Sequence, residues 1–133
     1  MPHSKLKLAV LVSGNGTNLQ AILEACRKRK IDAVVSIVIS NNPKAFALER
    51  AKKFKIATAV VPNTSGAEPE ILKTLKQHKP DLICMAGFMR ILSPAFLKNF
   101  PERVINNKSA SRDKVLSATL QMAKTVLHPN SLA

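Results

Sequence analysis

The sequence predicts an α/β fold: a doubly wound, mainly parallel sheet. Three observations carry this. Short continuous apolar runs, the pattern of strands buried on both faces, alternate with segments that are apolar at helical spacing. Turn-rich clusters separate them, so the order reads βαβαβαβαβ, which favours parallel pairing with right-handed crossovers. The chain has 133 residues, of which 46% are apolar, enough for one domain with a packed core and too short for two ordinary ones.

Leu8–Val12 is the first strand, ending in the loop Ser13-Gly14-Asn15-Gly16-Thr17-Asn18. Leu19, Ile22, Leu23 and Cys26 then recur at helical spacing, with Asn18 or Thr17 as the expected N-cap. The run from Ile31 to Ile39 is a second strand, closed by Asn41-Asn42-Pro43; Ala45 to Phe54 is a short helix. Ala57–Val61 is a third strand, and Pro69–His78 is helical, with Ile71, Leu72 and Leu75 on one face. Leu82–Ala86 is a fourth strand, Gly87–Leu92 a loop, Pro94–Phe100 a helix, and Arg103–Asn106 the start of a fifth strand. After Asn107 the texture changes. Residues 108–133 read as a separate tail, polar at first and then helical, with Val115, Leu116, Thr119, Leu120, Ala123 and Leu127 on one face.

Charge is the unusual feature. There are 21 Lys+Arg against 8 Asp+Glu, a net charge of +13, which favours anionic partners: nucleic acid, a membrane surface or phosphorylated small molecules. No block of six like charges occurs, and the densest cluster, Arg27-Lys28-Arg29-Lys30, falls where a helix ends and cations suit its dipole. Neither an aromatic platform nor a recognition helix supports a specific nucleic-acid partner. No run is long enough to span a bilayer, and the first residues lack a secretory apolar region, so a cytoplasmic location is expected. Cys26 and Cys84 make neither a metal pattern nor a disulfide framework, and no metal is expected.

Three places can carry chemistry. Ser13–Asn18 joins a buried strand to a helix, and backbone N–H groups there suit an anion, with Gly14 and Gly16 permitting close approach. The plain alternative is a tight turn. Ala86 to Pro94 is more apolar than a solvent loop requires; it is either one wall of a slot for a flat ring or a buried connection. Asn106, at a strand end, is either a turn former or an amide that steadies an oxyanion.

Taken together, VLVSGNGTNLQAI from Val10 to Ile22, VISNN from Val38 to Asn42, and AGFMRILSPAF from Ala86 to Phe96 resemble the phosphoribosylglycinamide formyltransferase family. The likeness runs from about Leu6 to Asn106 and implies a Rossmann-like formyltransferase fold, truncated, with residues 1–107 as the ribotide-binding part and 108–133 as a divergent helical tail. It implies that Gly16, Thr17 and Asn18 cradle the phosphate of glycinamide ribonucleotide. Met89, Arg90, Ile91 and Leu92 would line the slot for the cosubstrate 10-formyltetrahydrofolate, and Asn106 would be the catalytic amide that also meets the formyl group. The implied reaction is formyl transfer to the ribotide amine in purine biosynthesis. The chain then departs from the family pattern: Lys108 stands where the family has its catalytic His, no counterpart of its Asp follows, and Pro62–Pro69 lacks the Arg that members often place there. These departures predict impaired transfer. The alternative is a non-catalytic phosphoribosyl- or nucleotide-binding module. The open edge of a truncated sheet, unless the tail covers it, predicts self-association.

Overall fold

A computed structural model describes residues 6–90, 92–101 and 103–107. Within these described residues nine elements follow one another: β1 (Leu6–Val12), α1 (Thr17–Arg27), β2 (Ala33–Ser40), α2 (Phe46–Lys53), β3 (Thr58–Val60), α3 (Ala67–His78), β4 (Leu82–Ala86), α4 (Pro94–Leu97) and β5 (Val104–Asn107). The five strands form one sheet in the order β3-β2-β1-β4-β5, and every neighbouring pair is parallel.

Alternation along β1 divides the core between the two faces. Leu8, Val10 and Val12 pack with Leu19, Ile22 and Leu23 of α1 and Ala47, Leu48 and Ala51 of α2. Ala9 and Leu11 point the other way, into a cluster with Ile71 and Leu75 of α3, Phe88, Leu92 and Phe96. Both faces of β1 are thus covered, which is why its apolar run is continuous rather than alternating. One irregularity occurs between β1 and β2, where the register shifts after Leu8 and the Ser36 hydroxyl donates to the Leu8 carbonyl at 3.2 Å.

The elements agree in order and type with the sequence reading; their ends differ for local reasons. α1 begins at Thr17, with Gly16 as its N-cap and no side-chain cap, in place of the expected Asn18 or Thr17 cap. Gly16 holds φ +82°, a left-handed conformation that residues with a Cβ adopt at a cost. α3 starts at Ala67, which is fully buried, so Pro69 lies inside the first turn rather than at its head. α4 stops at Leu97. The tail helix expected within 108–133 lies outside the described residues.

The chain leaves β1 for β2 and β3 on one side, then crosses back to place β4 and β5 on the other. β1 and β4 therefore flank the point where the strand order reverses, and the crevice beyond their carboxyl ends is where such sheets receive ligands.

Candidate functional site at the sheet switch point

Two loops meet beyond the carboxyl ends of β1 and β4. The first, Ser13–Gly16, delivers the chain into α1. The first-turn amides of a helix have no partner within it, and the first turn of α1 carries no acidic side chain. Thr17 is exposed and Asn18 half-buried at this end. The arrangement presents free N–H donors and the positive end of the helix dipole to the crevice, a combination suited to phosphate.

The position of this loop is set from α2. A Cβ on Gly16 would lie 2.6 Å from the Cβ and 2.7 Å from the Cα of Ala47, so glycine is required there by packing as well as by φ. The Ala47 N–H donates to the Gly14 carbonyl at 3.1 Å. Arg50, one turn further along α2, donates from Nε to the Asn15 carbonyl at 2.8 Å and from Nη2 to Asn15 Oδ1 at 3.0 Å. Its Nη1 reaches Gln20 Oε1 at 3.3 Å, and its guanidinium lies 4.8 Å from the centroid of the Phe46 ring. Arg50 was not legible in the sequence. Its spacing of four from Phe46 hints at a stacked pair, but nothing local points to a loop 35 residues upstream.

Ser13 links the first loop to its neighbours. Its hydroxyl donates to Asn41 Oδ1 at 2.7 Å and accepts from the Met89 N–H at 2.7 Å. Asn41 Nδ2 donates to Asn63 Oδ1 at 3.3 Å, which also accepts from Arg90 Nη1 at 3.2 Å. A closed set of hydrogen bonds thus joins the loops that follow β1, β2, β3 and β4. The Ser40-Asn41-Asn42 segment is shaped for this: the buried Ser40 hydroxyl accepts from the Asn42 N–H and donates to its carbonyl, while Asn42 Oδ1 accepts from the Lys44 N–H.

The second loop, Gly87–Leu92, combines both alternatives read from its composition. Phe88 and Leu92 are buried in the core and anchor it. Met89 between them is 80% exposed, with its side chain available beyond the sheet edge. Arg90 is half-buried, and its Nε has no hydrogen-bond partner. The loop closes on Glu68 of α3, whose carboxylate accepts from the Ser93 hydroxyl at 2.6 Å and the Ser93 N–H at 3.0 Å. The Ser93 hydroxyl bond holds the Glu68 carboxyl below its ordinary pKa of 4.5; the Ser93 N–H and the charge of Arg90 act the same way, against the opposing effect of burial.

Of the remaining candidates, Asn106 lies on β5 in register with Met85, which puts its backbone at the carboxyl edge of the sheet beside β4. Ile91 and Lys108 are outside the described residues. Among the described residues no three His, Cys, Asp or Glu side chains converge on a common point, and no helix is long and apolar enough to cross a membrane.

Residues 6–109 match the sequence model of the formyl transferase family. The chain belongs to that family. It is 42% identical over 106 residues to phosphoribosylglycinamide formyltransferase of Escherichia coli, a match covering 76% of this chain and 50% of that protein. It is 40% identical over 113 residues to the trifunctional purine biosynthetic protein adenosine-3 of Drosophila melanogaster, covering 80% of this chain and 8% of that one. Among solved structures, phosphoribosylglycinamide formyltransferase of Coxiella burnetii superposes with a TM-score of 0.73 at 40% identity, over 77% of this chain and 51% of that one. The chain spans about half the length of the single-function curated relatives it matches.

Proposed function

We propose that this family member binds glycinamide ribonucleotide and acts in formyl transfer from 10-formyltetrahydrofolate to the ribotide amine. One observation carries the reading. The loop that suits a phosphate and the loop that exposes Met89 sit side by side at the strand-order reversal, joined through Ser13. Gly16, Thr17 and Asn18 would hold the phosphate; Met89, Arg90, Ile91 and Leu92 would flank the pterin. In the reaction the amine attacks the formyl carbon and a tetrahedral oxyanion forms. The bond to the folate nitrogen then breaks, the amine's proton leaves, and the folate nitrogen gains one. The Asn106 amide is the proposed donor to the oxyanion; a donor of this kind is worth roughly 2.7–4 kcal/mol where one has been removed.

Proton transfer is the weak step. An unperturbed Lys side chain, with a pKa of about 10.4, is charged at neutral pH; such a group at 108 could stabilise an oxyanion but could not pass a proton in both directions as imidazole does. We therefore expect ribotide affinity with greatly reduced turnover. That sequence feature is also what favours the second reading, a ribotide-binding module without catalysis.

The test pairs a binding titration of glycinamide ribonucleotide with a formyl-transfer assay on the same purified chain. Binding with weak turnover supports the first reading, and binding with none the second. Absence of ribotide binding overturns both. Turnover within tenfold of that of the Escherichia coli relative would show that Lys108 or the tail supplies the proton transfer.

A further inference from the structure

A cavity of about 550 Å³ lies at the opposite end of the sheet from the candidate site. The last turn of α1, the start of β2 and the connection from α2 to β3 enclose it, all at the amino edge of the strands. Leu23, Cys26, Val34, Phe54 and Ile56 form its apolar walls. Val34 is 39% exposed, and Phe54 and Ile56 are only partly buried against the core, so the groove leaves apolar surface in contact with water. Its volume lies within the range of roughly 300–1,000 Å³ usual for small-molecule pockets.

The charged groups lining the same groove are all cations: Arg27, Lys53 and Lys55, each exposed, with no carboxylate among the lining residues. The Arg27 guanidinium lies 5.4 Å from the centroid of the Phe54 ring, which keeps a positive charge directly over the apolar wall. Two helices end here, and each C-terminus contributes about half a negative charge. Against these and Asp32 stand Arg27 in the last turn of α1 with Lys28, Arg29 and Lys30 just beyond it, and Lys52 and Lys53 in the last turn of α2 with Lys55 just beyond it; of these Lys52 is drawn off by Glu49 at 3.7 Å. The parallel topology is responsible, because it gathers the basic ends of α1 and α2 at one edge, and the surplus stays strongly positive.

We propose that this groove binds an amphiphilic monoanion, with an apolar chain or ring between Val34, Phe54 and Ile56 and a carboxylate or sulfonate among Arg27, Lys53 and Lys55. Neither feature alone makes the site. An apolar groove would take a neutral molecule equally well, and a basic edge would take any anion without saturating. Their coincidence selects a ligand that carries both parts.

The test is a titration of the full ¹⁵N-labelled chain with decanoate, with decanol and acetate as comparators. Decanoate should bind saturably and shift the amides of Leu23, Cys26, Val34, Phe54 and Ile56, leaving those of Thr17 to Leu19 in place. Decanol should bind about tenfold more weakly, which corresponds to the loss of one favourable charge contact. Lys53→Glu and Val34→Glu change exposed side chains and should each weaken decanoate by about the same factor; Lys53→Gln, which adds no repulsion, should weaken it less. Equal binding of decanol and decanoate, shifts that never saturate, or variants that bind as the parent does would overturn the proposal. Concentration-dependent shifts at these amides without decanoate would overturn it too, because the groove would then be covered by a second copy.

Discussion

The two loops at the switch point are held by different physics. Ser13–Gly16 is fixed by packing and by a permanent cation: a left-handed glycine pressed against Ala47, and a guanidinium bonded to Asn15. Gly87–Leu92 is fixed by two buried anchors, Phe88 and Leu92, and by a carboxylate that clamps Ser93 at the head of α4. The difference suits their proposed partners. A phosphate needs amides held at one spacing, whereas a flat ring needs a wall that can adjust around an exposed Met89. It also means that acid strong enough to protonate Glu68 should loosen the second loop and leave the first in place.

The largest expected effect breaks the first loop. Gly16→Val places a β-branched residue at positive φ and drives its Cβ into Ala47. The conformational strain alone is of order 1–3 kcal/mol, and overpacking adds a similar amount. Chemical denaturation should show this loss. Because the fold suffers, Gly16→Val cannot isolate ligand binding, whereas Gly14 has nothing within 4 Å of an added Cβ and can be filled without a clash.

Next in size is Leu92→Ala, which empties a buried anchor of the second loop and should cost about 2–5 kcal/mol. If ribotide binding by the surviving folded fraction is unchanged while folate binding falls, the two loops are separable. Arg50→Ala comes third. It removes three hydrogen bonds from one half-buried guanidinium, and we expect about 1–3 kcal/mol together with weakened ribotide binding.

The smallest effect is the response to acid. Glu68 has a folded pKa below its ordinary 4.5, so its stabilising contribution is fully present above that value. It is lost as pH falls through the depressed folded pKa. Hydrogen exchange at the Ser93 amide should accelerate relative to intrinsic rates over that window, while the Ala47 amide, which donates to Gly14, holds its protection. Equal loss at both amides would erase the distinction between the loops.

How much of this could be read in advance depended on the range of the interaction. The strands were legible because β1 is apolar at every buried position, and the helices because Leu19, Ile22 and Leu23, or Ile71 and Leu75, recur on one face. The first loop was legible because composition changes sharply where β1 ends, and the second because Ala86 to Pro94 stays more apolar than a solvent loop requires. The cap of α1 was misplaced because side-chain caps are the common rule, while here the left-handed conformation of Gly16 starts the helix. Arg50, Asn63 and Glu68 went unrecognised for a different reason. Each meets its loop only after α2, the segment following β3, and α3 have packed, across 35, 27 and 25 residues, and no local pattern encodes such a contact.

The most direct measurement of the central claim is an amide-shift titration of the chain with glycinamide ribonucleotide, repeated on Gly14→Val and at two salt concentrations. Saturable shifts are expected at Thr17, Asn18 and Leu19, weaker at high salt, and abolished in a Gly14→Val variant whose denaturation curve matches the parent. Shifts centred elsewhere, or undiminished binding by Gly14→Val, would contradict it.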